Sequence, residues 1–182
     1  MKNSPAKWVV KTALFLAILI AFQAATAALG NTLITGSLVN LTLILTVMLA
    51  GLSSGVTVAI FSPLLAFLLG IGPKLLPIIP CIMVGNVVLV LIWHWVTRKI
   101  QLSNLIANLS ATILAAVLKF AVLYLLVVKL VVNVILALPA PQNLVLSTMF
   151  SLPQLITALV GGVIATLLLP TLRPLAQKHD WV

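Results

Sequence analysis

Residues 111–138 read ATILAAVLKFAVLYLLVVKLVVNVILAL, a run of 28 residues in which two cations, Lys119 and Lys129, stand among apolar side chains with no acidic residue near them. A lysine at the centre of a membrane helix costs roughly 2.5–3.5 kcal/mol. An ionisable group inside a span is by default a functional feature. The run is long enough to cross a bilayer, and the rest of the chain has to account for its two charges.

Composition agrees with that reading. Of 182 residues, 63% are hydrophobic and 6% charged, and the mean hydropathy is +1.34. Such a chain cannot cover a water-facing surface with polar groups, so its solvent is lipid. A spanning helix needs about 20 apolar residues, which leaves room for six helices in one membrane domain and for no sizeable soluble domain. The expected fold is all-α and polytopic, with helices near residues 8–29, 37–52, 56–69, 81–97, 111–138 and 144–169.

The first of these carries Lys2, Lys7 and Lys11 ahead of an apolar run at 12–28. With the small triplet Ala25-Thr26-Ala27 it also fits a cleavable export signal. The apolar run continues past that triplet to Leu29, so we take it as helix 1. Ala13, Ala17, Ala21 and Ala25 recur every fourth residue and leave one face nearly smooth, which allows another helix to approach closely, inside this protein or from a separate subunit. Residues 30–36 read as a turn. Gly51 and Gly55 formally match a small-residue dimer motif, but they fall between two apolar runs and read better as a tight connection. Helix 3 contains Pro63, a source of a kink. Residues 70–80, GIGPKLLPIIP, read as an apolar loop folded over the protein. Trp93, His94 and Trp95 end helix 4 where aromatics favour an interface. Residues 100–110 read as an amphipathic surface segment and 170–182 as a basic tail.

With both termini in the cytoplasm, six helices place Lys2, Lys7, Lys11, Arg98, Lys99, Arg173 and Lys178 inside and Lys74 alone outside. That is the bias of the positive-inside rule. The net charge of +9 is spread over helix ends rather than gathered in a stripe with aromatics, so no nucleic-acid partner is expected.

The inventory for catalysis is poor. The only acid, Asp180, lies in the tail; His94 and His179 stand at or beyond helix ends; Cys81 is the lone cysteine. No carboxylate pair, metal cluster or nucleotide-binding motif is present in the sequence, so an enzyme, a metal centre and a bound cofactor are not expected. Transport or binding remains. Lys119 and Lys129 are about 15 Å apart along a helix, half of a hydrocarbon core of about 30 Å, so both cannot reach an interface comfortably. Counted from the external ends, Asn86 and Gln154 lie level with Lys119 and can share one polar layer with it, as a binding site or as interhelical glue. Asn40 and Gln23 lie nearer the outside and can line the approach. Tyr124 offers a ring and a hydroxyl. Lys129 is the better snorkeller.

Taken in order, the Ala13 and Ala17 pair, Gly36-Ser-Leu-Val-Asn40, Ser62-Pro63-Leu-Leu-Ala66, Pro77-Ile-Ile-Pro80 leading to Gly85-Asn86, Lys119-Phe120 to Tyr124, and Phe150-Ser-Leu-Pro-Gln154 resemble the substrate-binding S-components of energy-coupling factor transporters. The resemblance spans all six helices and rests on order and length more than on any one motif. It implies a vitamin or vitamin precursor captured from outside, under the first, third and fifth loops. It further implies docking, through the alanine face of helix 1 (Ala13, Ala17, extended by Ala21), on a membrane coupling subunit driven by two cytoplasmic ATPases in a prokaryotic plasma membrane. Charge alone favours an anionic ligand, with pantothenate the first guess opposite Lys119; a pyrimidine or pyridoxine-like ligand needs only the amides. Two other readings stay open: a small channel or exporter acting as a homo-oligomer, and an assembly subunit that binds no small molecule.

Overall fold

A computed structural model of the chain describes residues 4–73, 75–100 and 103–178. All its regular structure is helical: α1 (Pro5–Ala27), α2 (Thr32–Leu49), α3 (Leu52–Leu68), α4 (Ile78–Lys99), α5 (Asn104–Leu123) running on into a π-helical segment (Tyr124–Ile135), α6 (Ala140–Met149) and α7 (Leu152–Lys178). Five helical stretches are long and apolar enough to cross a membrane, and α3 is a shorter apolar helix. Large apolar side chains such as Val10, Leu68, Ile113 and Leu167 are well exposed on the outside of the bundle. This is the build of a multi-pass membrane protein, whose outer faces meet lipid rather than water.

Local chemistry sets where the helices begin. Ser4 accepts from the Lys7 amide and is followed by Pro5 at the first helical position. Asn31 accepts from the amides of Leu33 and Ile34, so α2 starts at Thr32 and shortens the expected turn. Ser103 accepts from Ile106. That cap moves the start of α5 to Asn104, and residues 104–110, read as a separate surface segment, are its first turns. Gly51, at φ 93°, makes the tight α2–α3 connection, and Gly55 packs internally against Val47 and Val90.

The last span departs most from expectation. It is two helices, broken at Phe150 and Ser151, where the Phe150 side chain is buried in a cluster with Ile78, Leu123 and Val127. Beyond the break α7 continues as a helix through Pro170 and Pro174 to Lys178. Both prolines are exposed, so their rings disturb only the outward side of the helix. Trp93, expected at an interface, is instead completely buried in the main core with Leu19, Ile44 and Val58; Trp95 alone of that pair is exposed.

Two close approaches fix how the helices sit. A Cβ at Gly161 of α7 would meet the Ser37 carbonyl at 2.7 Å and Asn40 Cβ at 2.8 Å, and a Cβ at Gly85 of α4 would meet Leu123 at 2.7 Å. The first draws α7 against α2 beside Asn40. The second draws α4 against α5 beside Asn86, one turn along α5 from Lys119. At the opposite end of the bundle, Trp8 and Thr12 of α1 hydrogen-bond Ser53 and Ser54 at the start of α3.

Candidate functional site

Three helices deliver one buried polar layer. Lys119 Nζ on α5 donates to Asn40 Oδ1 on α2 at 2.6 Å and to Asn86 Oδ1 on α4 at 2.7 Å. Asn40 Nδ2 in turn donates to Thr157 Oγ1 on α7 at 3.3 Å. The lysine is 3% exposed, Asn40 1% and Asn86 2%, so the amino group is held by neutral amide oxygens in an apolar body. Among the described residues no carboxylate is present to pair with it.

The layer forms the floor of a cavity of about 360 Å³ at one end of the bundle. That is within the range of small-molecule sites, roughly 300–1,000 Å³. Lys119, Asn40 and Asn86 meet there with Gln23, Ser62 and Gln154. The α1–α2 turn at Gly30 and Asn31, the α3–α4 loop at Gly70–Pro73 and the α6–α7 break at Met149 and Phe150 surround it. The resemblance implied the fifth loop as the third cover; residues of the break between α6 and α7 stand there instead.

The expected site residues fall into three groups. Asn40, counted among the substrate-binding candidates but read as lying nearer the outside, lies in the layer itself and bonds Lys119 directly. Gln154 lines the cavity, but its amide donates to the Met149 carbonyl at 3.1 Å and so ties together the two sides of the break rather than joining the layer. Tyr124 is outside the cavity. Its ring lies 5.5 Å from Lys129 Nζ, beside Phe120, at a shallow groove with Ser147 and Ser151. Lys129 is exposed there, on the outside of the π-helical segment. Cys81 also stays out of the cavity; its thiol faces the Pro77 carbonyl at 3.7 Å.

Two polar groups that the sequence did not single out as ligand contacts now stand out. Ser62 is 1% exposed, and its hydroxyl has no partner among the described residues. Gln23 Oε1 is likewise buried and unpartnered among the described residues. Both residues line the cavity. Thr157, which braces Asn40, was also missed; its place three residues after Gln154 on α7 was the available signal.

Ala13, Ala17 and Ala21 are exposed, as are Ala24, Ala25 and Ala28. Helix α1 turns Thr12, Phe15 and Leu19 inward instead, which leaves the alanine strip uncovered by the described residues of this chain. No group of His, Cys, Asp and Glu side chains able to hold a metal occurs among the described residues. Comparison with models of known families, with curated proteins and with solved structures gives no match.

Proposed function

We propose that the chain is the substrate-binding subunit of an energy-coupling factor importer, capturing a vitamin-like small molecule from outside the cell. One observation carries the reading: a buried lysine, held by two amide oxygens, at the floor of a cavity of about 360 Å³. An amino group with two such bonds has one direction left. Protonated, it offers a third N–H to an anionic or carbonyl oxygen; neutral, it offers a lone pair to a donor. A carboxylate such as that of pantothenate meets the first state, and a pyridoxine-like hydroxyl meets the second.

The polar layer and the core beneath it speak for a closed receptor rather than a channel, since a channel needs a path through that core. The uncovered alanine strip supports docking on a coupling subunit, and the lack of a nucleotide motif fits ATPases carried by other chains. In this arrangement the cavity faces outward and the cationic ends at Lys7, Arg98, Lys99, Arg173 and Lys178 face the cytoplasm, while Lys11 is buried near the same end of α1.

The test pairs binding with association. Lys119→Ala is expected to abolish capture of the natural molecule, and Lys129→Ala to leave it within about twofold, as fits an exposed lysine outside the cavity. Copurification with a coupling subunit and ATP-dependent uptake are the accompanying expectations. Equal, small effects of both substitutions would remove the site from α5. A homo-oligomer that conducts without ATPases would replace the importer with the channel reading.

A further inference from the structure

Buried hydroxyls in this bundle are satisfied, most of them in one way, and Ser62 departs from that pattern. Thr12, Ser37, Thr42, Thr46, Thr112 and Thr166 each donate to the carbonyl four residues back on their own helix. That is how a buried hydroxyl in an apolar helix is satisfied without a partner. Ser62, 1% exposed, is buried like them, yet its Oγ makes no such bond and finds no other partner among the described residues. It stands next to Pro63, and both line the cavity. Across the same space Gln23 Oε1 is an acceptor with no donor among the described residues. Native interiors leave few buried polar groups unmet, and each one asks for a missing partner.

Resting on the reading of the cavity as a capture site, we infer that Ser62 and Gln23 are ligand contacts, and that the cavity takes an uncharged or singly anionic molecule with polar groups at two places. One is an oxygen or hydroxyl for Lys119, and the other is an O–H or N–H donor for Gln23 Oε1, with Ser62 bonding the same molecule. Charge sets the limit on class. Among the described residues the cavity lining contains no Asp or Glu, and Phe150 is its only aromatic side chain. A fixed cation would therefore find no counter-charge, and it would lie in the same small space as Lys119. The two orphan groups sit on α1 and α3, whereas the polar layer comes from α2, α4 and α5, so a molecule meeting all of them would touch five of the helices.

The experiment equilibrates the purified full chain in lipid nanodiscs with a defined mixture of similar-sized compounds. The mixture contains fixed cations (thiamine, choline), neutral hydroxylated compounds (pyridoxine, inositol) and monocarboxylates (pantothenate, nicotinate). Retained compounds are quantified by mass spectrometry. The expected result is retention of neutral or monoanionic members only, reduced about tenfold by Ser62→Ala and by Gln23→Leu, with Ser62→Cys recovering part of the loss. Ser62→Ala removes only an unpaired hydroxyl, so its thermal midpoint should equal or exceed that of the parent, and binding can be read on a folded protein. Retention of a fixed cation would overturn the class. Retention unchanged by both substitutions would overturn the contacts and leave water as the partner of the two groups. Retention of nothing would overturn the inference together with the capture site. Selective retention in a chain that never associates with a coupling subunit would keep the inference and remove the importer assignment.

Discussion

Lys119 is held by oxygens and not by charges, and that makes its neighbours unequal to ordinary buried amides. Removing either amide leaves an amino group with an unmet donor in an apolar body, a loss of about 1–3 kcal/mol. Asn40→Leu and Asn86→Leu should therefore each lower the thermal midpoint in detergent. In a Lys119→Met background the same changes should cost much less, and a double-mutant cycle measures the difference. The lysine itself was legible in the sequence, because a cation in an apolar run has few explanations. Asn86 was legible too, since counting from the external helix ends sets it level with Lys119, which bonds it. Asn40 was placed too shallow, since counting residues from a helix end assumes that all helices start at one level, whereas the Asn31 cap sets the start of α2 and Gly161 sets its depth against α7. Ser62 was not legible at all: a serine in an apolar helix normally bonds its own backbone, and only the structure shows that this one does not.

The helices that build the layer are set by the residues that let them approach. Gly161→Ala would place a methyl group against the Ser37 carbonyl and Asn40 Cβ, and overpacking of this kind costs about 1–3 kcal/mol. Its expected signature is a loss of ligand capture larger than the loss of stability, because the displaced element carries Asn40. On α1 the opposite substitution is informative: Ala17→Trp adds bulk to an exposed strip and should abolish association with a coupling subunit while leaving ligand capture within about twofold. Helix ends were the least legible feature. Caps at Asn31 and Ser103 move two starts, and the α6–α7 break at Phe150 is a tertiary effect, in which an aromatic ring enters the cluster of Ile78 and Leu123. The π-helical run of 12 residues was equally hidden. It is sustained by bonds such as Leu136 N–H to the Val131 carbonyl at 2.9 Å, with the Asn133 side chain also reaching the Val128 carbonyl at 2.7 Å. Such runs are rare beyond a single turn, and apolar periodicity gives no warning of one.

At the scale of the whole molecule, the all-helical, multi-pass build followed from hydropathy alone, because a chain of this composition has few folds open to it. The cavity did not follow, since it depends on which loops fold over which helix ends. The proposed orientation predicts that in intact cells a single cysteine placed at Gly72, in a Cys81→Ser background, reacts with a membrane-impermeant thiol reagent, whereas one at Lys99 reacts only after permeabilisation. The reverse pattern would invert the topology. Helix α1 joins the two faces of the proposal: Gln23, Thr26 and Ala27 line the cavity, and on another side of the same helix the alanines lie uncovered. A molecule in the cavity and a subunit on the strip would thus share one rigid element about 35 Å long, at 1.5 Å per residue. Thermodynamic reciprocity then applies. By whatever factor the subunit weakens the grip on the molecule, the molecule weakens the grip on the subunit, so a loaded and an empty copy of this chain would compete for the same partner on unequal terms.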